Sequence, residues 1–288
     1  MQPVVITALS GGLGNQMFQY AMGRSLAVRR GVPLLLDLRS LATDTLRDYA
    51  LGGFQVAADI AKPSELPSAP GPIARRLGRL LPRFAPRTSV FERAFTFEPS
   101  MLDLVPPAYL TGNWQSERYF VDCGDVVRSD FQLARPFTPD RAQLAEAIKA
   151  RNAVSVHVRR GDYVSNPVAN AYHGTCDPDW YASAKRRMDD VVPNAQYVIF
   201  SDDPGWARAN LTDFTDALFV EPSGDGKDEQ DLHLMALCRH HIIANSSFSW
   251  WGAWLNPNPD KHVIAPLQWF KGAAHDTRDL IPTEWERL

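Results

Sequence analysis

Apolar residues along the chain fall in short runs. Each run is closed by a glycine or polar turn and then gives way to a stretch where apolar side chains recur at helical spacing. Val4 to Leu9 is the first run, Gly11-Gly12-Leu13-Gly14-Asn15-Gln16 breaks it, Met17 to Arg30 has the helical pattern, and Leu34-Leu35-Leu36 is a buried strand. The alternation resumes with strand Val154 to Val158, a helix near Trp180 to Val191, strand Tyr197 to Phe200, a short helix near Trp206 and strand Leu218 to Val220. A helix near Asp228 to Cys238, strand His241 to Ala244, a helix near Phe248 to Leu255 and strand His262 to Ala265 complete it. Strands alternating with helices predict an α/β protein with parallel sheets covered on both faces. Two such halves predict two Rossmann-like domains facing across a cleft, with ligands at the carboxyl ends of the strands.

Two prolines in Arg135-Pro136-Phe137-Thr138-Pro139, just before the helical pattern of Asp140 to Arg151, place the domain junction. The expected domains are 1–137 and 138–288. Within the first, 62–93 breaks the pattern: six prolines lie between Pro63 and Pro86, and the net charge is +5. This stretch reads as a basic, Pro-rich excursion. Inside it, Ile73, Leu77, Leu80, Leu81 and Phe84 keep helical spacing among Arg75, Arg76, Arg79 and Arg83, so 73–87 is a candidate face for an anionic membrane. Pro82 interrupts that helix, and a solvated arm packed on its own domain is the simpler expectation.

Composition narrows the function classes. The 288 residues are 45% hydrophobic and 22% charged, enough for a substantial core, and the net charge of -3 argues against nucleic-acid binding through phosphate neutralisation. No apolar run approaches the roughly 18 residues of a membrane span, and Met1 to Leu9 lacks signal-peptide character, so a soluble, cytoplasmic protein is expected. Cys123, Cys176 and Cys238 are too few and too widely spaced for a disulfide framework or a zinc site. They are expected as reduced core thiols, with no metal and no cofactor.

Candidate chemistry sits where strands end. Gly12-Leu13-Gly14-Asn15-Gln16-Met17, with Asp37 ending the next strand, approaches a dinucleotide fingerprint, but Met17 stands where the third glycine must allow close helix packing. An NAD-dependent oxidoreductase is therefore only an alternative; Asn15 and Gln16 are expected exposed at a cleft. His157-Val158-Arg159-Arg160-Gly161-Asp162-Tyr163 follows an apolar strand. Strand alternation puts His157 and Arg159 on one face and Arg160 on the other, and a guanidinium at the strand's end suits a diphosphate. A solvated ion-pair turn is the competing expectation. Ser246 or Ser247 opens a helix, where backbone N–H groups and the helix dipole hold anions, and Trp250, Trp251 and Trp254 are expected in the core. Asp231 and Asp202-Asp203 are capping or surface acids on this view, and Asp177-Pro178-Asp179 is a helix start rather than a metal-binding acid pair.

Gly11 to Tyr20, His157 to Tyr163, Phe200 to Asp203 and Asn245 to Gly252 together resemble the alpha-1,2-fucosyltransferases of glycosyltransferase family 11, in its bacterial, unanchored form. Gln115 to Phe120 and Pro282 to Trp285 add to the resemblance, which leaves mainly Lys62 to Arg93 outside it. The resemblance implies a GT-B fold with an acceptor-side first domain and a GDP-fucose-binding second domain. It also implies metal-independent inversion from GDP-β-L-fucose to the 2-hydroxyl of a terminal β-galactoside, carried out in the cytoplasm or peripherally at the inner membrane. Arg159 would stabilise the leaving diphosphate, Ser246 and Ser247 would hold the phosphates, Asn15 would complete the site near the sugar, and His157 and Asp231 would bind the nucleoside. Asp162 is a candidate base, or orients Arg159 or Arg160. A non-catalytic sugar-nucleotide or glycan-binding protein is the remaining alternative.

Overall fold

The computed structural model describes residues 3–67, 89–224, 228–272 and 275–288, so the candidate membrane face at 73–87 lies outside the described residues. The chain forms two compact units: Met1–Gln132 with Asp276–Leu280, and Leu133–His275 with Ile281–Leu288. The units part between Gln132 and Leu133, ahead of the prolines that mark the junction in the sequence, and a short piece of the C-terminal region belongs to the first unit.

The first unit contains strands β1 (Val5–Ala8), β2 (Leu34–Asp37), β3 (Asp59–Ile60), β4 (Ser89–Phe91) and β5 (Ala108–Thr111), with helices α1 (Leu13–Arg30) and α2 (Gly124–Asp130). Its sheet is parallel in the order β3-β2-β1-β5-β4. Helix α1 begins at Leu13, earlier than the apolar spacing predicts. Gly12 is extended and its carbonyl accepts from the Asn15 and Gln16 N–H groups at 3.0 and 3.1 Å, so the turn shrinks to Ser10 to Gly12. Only Gly11 there needs positive φ, at 74°. Gln16 is consequently buried, not exposed: its Nε2 donates to the Gly11 and Asp48 carbonyls, both at 2.8 Å, and its Oε1 accepts from Ala50 N at 2.9 Å. Met17 is also buried, and close helix-to-strand approach occurs instead at Gly23, where a Cβ would stand 2.9 Å from Leu34 Cδ1 and 3.1 Å from Thr7 Cβ. Asp37, the would-be ribose acid, is taken by Arg39 and Tyr109.

The second unit contains α3 (Pro139–Lys149), β6 (Ala153–Val158), α4 (Gly161–Ser165), α5 (Pro167–His173), α6 (Pro178–Val191), β7 (Gln196–Ser201) and α7 (Pro204–Asn210). It continues through β8 (Leu218–Val220), α8 (Asp228–Leu237), β9 (His240–Ile242), α9 (Ser247–Leu255), β10 (Val263–Ala265) and β11 (Glu286–Arg287). All neighbours in the order β11-β10-β9-β6-β7-β8 are parallel. Strand β6 is buried throughout because helices cover both faces. Val154, Val156 and Val158 pack with Tyr181, Ala184 and Met188 of α6, while Val198 and Phe200 pack with Ile148 of α3 and Leu234 and Met235 of α8. Trp250, Trp251 and Trp254 are buried in the core, and Asp177 caps α6 by accepting from Trp180 N at 2.8 Å. The three cysteines are free thiols, of which only Cys238 is fully buried; Cys123 and Cys176 are half-buried.

Candidate active site

The order of the second sheet reverses at β6: β7 and β8 lie on one side and β9 on the other, which makes the carboxyl ends of β6 and β9 the topological switch point where such sheets bind ligands. The parallel register pairs Val158 with Ser201, which brings Arg159 and Arg160 beside Asp202 and Asp203. Arg159 Nη1 lies 2.8 Å from Asp202 Oδ2, its Nη2 donates to Asp162 Oδ1, and its Cζ is 5.2 Å from the centre of the Tyr163 ring. Gly161 carries no side chain where a Cβ would meet Asp202 Oδ2 at 2.6 Å. Arg160 turns elsewhere: its Nε reaches Asp203 Oδ2 at 3.3 Å, its Cζ lies 3.9 Å from the centre of the Trp206 ring, and its N–H donates to Asp202 Oδ1 at 2.8 Å.

Asp202 and Asp203 thus do more than the sequence assigned to them. Asp203 does cap α7, accepting from Trp206 N at 3.0 Å, but both carboxylates also hold the arginines. Nor is this a solvated turn, since the Arg159 and Arg160 side chains are 23% and 17% exposed. Asp162 is engaged with Arg159, the orienting contact among the roles open to it.

His157, two residues earlier, is buried with its ring 5.6 Å from that of Phe248 on α9. Burial first, and the Arg159 charge second, push its pKa down to about 3, so the ring is neutral. Its Nδ1 is buried without a hydrogen-bond partner, an open polar atom at the reversal point. Ser246 is the residue before α9, extended at φ -138°, with no side-chain cap bond to the helix, and Ser247 is the first helical residue. An N-terminus not closed by its own cap is suited to an anion. Asn245 braces this turn, its Nδ2 donating to the His173 carbonyl at 2.9 Å and the Trp269 carbonyl at 3.2 Å. Arg159, Asp162, His157, Ser246 and Ser247 therefore gather at one edge of the second unit.

Asp231 and Asn15 have other neighbours. Asp231, on α8, accepts from Ser223 N at 2.9 Å and Ser223 Oγ at 3.1 Å, and Arg141 Nη1 lies 3.4 Å from its Oδ1. That Oδ1 is buried without a hydrogen bond because Arg141 is in ion-pair range but misaligned; burial raises the carboxyl pKa. Asn15 belongs to the first unit, where its Oδ1 accepts from Gln115 Nε2 at 2.9 Å. Its Nδ2 stands 2.7 Å from where a Cβ on Gly11 would be. Gln115, Asp202 and Asn245 stand in the sequence without these partners; each follows a parallel strand, and that position was the available signal. Among the described residues, no three His, Cys, Asp or Glu side chains converge as a metal ion requires.

Residues 95–288 match the family model described as glycosyl transferase family 11. An alpha-1,2-colitosyltransferase of Escherichia coli is 35% identical over 99% of both chains, and the O-antigen biosynthesis glycosyltransferase WbnK of the same organism is 32% identical over 92% of this chain and 95% of its own. Among solved structures, the fucosyltransferase NodZ from Bradyrhizobium superimposes with a TM-score of 0.53 at 17% identity, over 89% of this chain and 94% of NodZ. The fold is GT-B, with its two parallel-sheet Rossmann-like units. The sheet order, the paired arginine motif and the full-length relatives agree that this chain is a glycosyltransferase belonging to glycosyltransferase family 11.

Proposed function

We propose that the protein is an inverting alpha-1,2-fucosyltransferase that moves L-fucose from GDP-β-L-fucose to the 2-hydroxyl of a terminal β-galactoside on a surface glycan or oligosaccharide. The observation that carries this reading is Arg159, seated at the sheet's reversal point by Asp162 and Asp202. The bond from fucose C1 to the β-phosphate oxygen breaks and its electron pair stays on the diphosphate. A guanidinium already oriented before the charge develops lowers that barrier without reorganising. Ser246 and Ser247 hold the phosphates at the start of α9, His157 and Asp231 bind the nucleoside, and Asn15 contacts the sugar. The acceptor oxygen attacks C1 from the face opposite the leaving group, which inverts the anomer, and its proton leaves to a base or to water. The family removes the dinucleotide oxidoreductase alternative. Metal independence belongs to the same proposal.

A second reading concerns the donor sugar, because a full-length relative at 35% identity is a colitosyltransferase. Colitose differs from fucose by lacking the 3-hydroxyl, so the two donors share the diphosphate chemistry and separate only at a sugar contact. Incubation with GDP-fucose or GDP-colitose and a terminal β-galactoside decides the matter, read as GDP release and as the new linkage by NMR. An α-1,2-fucosylated product is expected. Transfer from GDP-colitose alone would replace the donor, and GDP release without a glycan product would defeat the transferase reading.

A further inference from the structure

Beyond the groups already placed at the site, one titratable ring stands against them. His173 ends α5, and its ring stacks on Tyr163 with centroids 4.3 Å apart and planes 3° from parallel. Tyr163 is the ring over which Arg159 lies, at 5.2 Å. The neighbouring Asp162 carboxylate holds Arg159 Nη2. The imidazole is boxed in further by Tyr172, edge-on at 4.7 Å, and by Phe270 at 5.7 Å, and its Nδ1 is buried with no hydrogen-bond partner. The backbone fixes the ring's place: Asn245 Nδ2 takes the His173 carbonyl, Gly174 follows at φ 66°, and Lys271 packs against Gly174.

We propose that His173 is a positioning residue for Arg159, whose neutral ring backs Tyr163 and whose protonated ring draws Asp162 away from the guanidinium. A ring wedged among aromatics with one nitrogen unpaired is held more easily without charge. Once charged, it would repel Arg159 and attract the carboxylate that Arg159 uses. The proposal rests on the reading that Arg159 serves the diphosphate. The charged and titratable groups around the ring are Arg159 and Asp162, which act on it through their charge, Tyr163 and Tyr172, which contact it, Lys271, which packs on the adjoining Gly174, and His275. His275 hydrogen-bonds Tyr172 at 2.8 Å and meets Phe270 edge-on. Burial is the largest influence on His173 and lowers its pKa; Asp162 opposes that and Arg159 adds to it. The neutral ring therefore prevails at neutral pH, and the charged ring forms only below the ordinary imidazole range.

The test is the pH profile of kcat from pH 8 to pH 5, with folding checked by circular dichroism at each point. The wild-type enzyme is expected to lose activity toward pH 5 along a limb that steepens toward unit slope, with its midpoint below the ordinary imidazole value. His173→Phe keeps a stacking ring that cannot protonate, and should lose less than about threefold over the same span. His173→Ala, which removes the stack, should be slow at every pH. NMR of the wild-type imidazoles gives an independent measure: the His173 midpoint should coincide with the kinetic limb. An unchanged limb in His173→Phe, or an NMR midpoint away from it, overturns the proposal. Calorimetric GDP affinity, followed over the same pH range, should show the same limb. If no fucosyl transfer occurs but GDP binding keeps a His173-dependent limb, the donor assignment fails and this inference stands.

Discussion

A guanidinium that touches two carboxylates is fixed in angle as well as in place, and that separates Arg159 from a mobile cation. Lysine keeps the charge but loses the planar fork that spans Asp162 and Asp202. Arg159→Lys is expected to lower kcat by about 10²–10³, the usual cost of one preorganised donor, with a smaller change in GDP-fucose binding. Arg160→Ala is the comparison, since Arg160 spends its charge on Asp203 and Trp206. If Arg159→Lys melts like the wild type and turns over normally, the phosphate clamp lies elsewhere. Asp231 has an open buried oxygen, and a carboxylate receiving two guanine donors would fill it. Asp231→Asn swaps one acceptor oxygen for a donor, so GDP affinity measured by calorimetry should fall by about tenfold or more, as expected for a charged hydrogen bond lost. Unchanged affinity would make Asp231 a brace for Ser223 and Arg141 alone.

At the scale of the elements, the close approach of α1 to the sheet at Gly23 gives a prediction on stability. A Cβ at Gly23 meets the flexible end of Leu34 and the branched Thr7. Gly23→Ala should be nearly neutral, because the strain is offset by about 1 kcal/mol of helix propensity. Gly23→Val adds branches with nowhere to go and should cost about 1–3 kcal/mol in denaturant unfolding. A Gly23→Val protein as stable as the parent would mean that α1 can lift off β1 and β2 freely. The apolar periods placed β1, β2, β6 to β10 and the longer helices, because burial on a strand or a helix face leaves a local trace in the chain, but not the short or half-exposed β3, β4, β5, β11, α2, α4 and α5. The start of α1 did not show, since Gly12 looks like a loop residue whether it is one or caps a helix. Asp202 and Asp203 were visible as acids but not as partners. Their meeting with Arg159 and Arg160 depends on the β6–β7 register, and pairing between strands far apart in sequence leaves no local signal. His173 and Gln115 were equally silent, because what distinguishes each is a neighbour from another element.

For the whole molecule, charge management at the diphosphate decides whether a divalent ion is needed. Arginine and backbone N–H groups offer positive potential at the carboxyl edge of the second sheet, and the acids nearest to it are already paired with arginines. Turnover in EDTA is expected to stay within about twofold of the untreated enzyme, measured as GDP release; loss on chelation with recovery on adding manganese or magnesium would contradict the site as described.

The return of Asp276–Leu280 to the first unit bears on how such a protein can be recombined. Asp279 accepts from Phe97 N at 2.9 Å and pairs with Arg118 at 2.7 Å, and Arg118 in turn lies over the Phe97 ring. The chain then goes back, and β11 closes the edge of the second sheet. The two units are therefore not beads on a string that a single cut would exchange. A hybrid that joins the front of one family member to the back of another inherits the Asp279 latch from the wrong parent. Shuffling that respects the architecture transfers two stretches together, the residues up to Gln132 and the five from Asp276 to Leu280. In lineage terms, the two units cannot be traded by one crossover without also testing whether a foreign latch still fits.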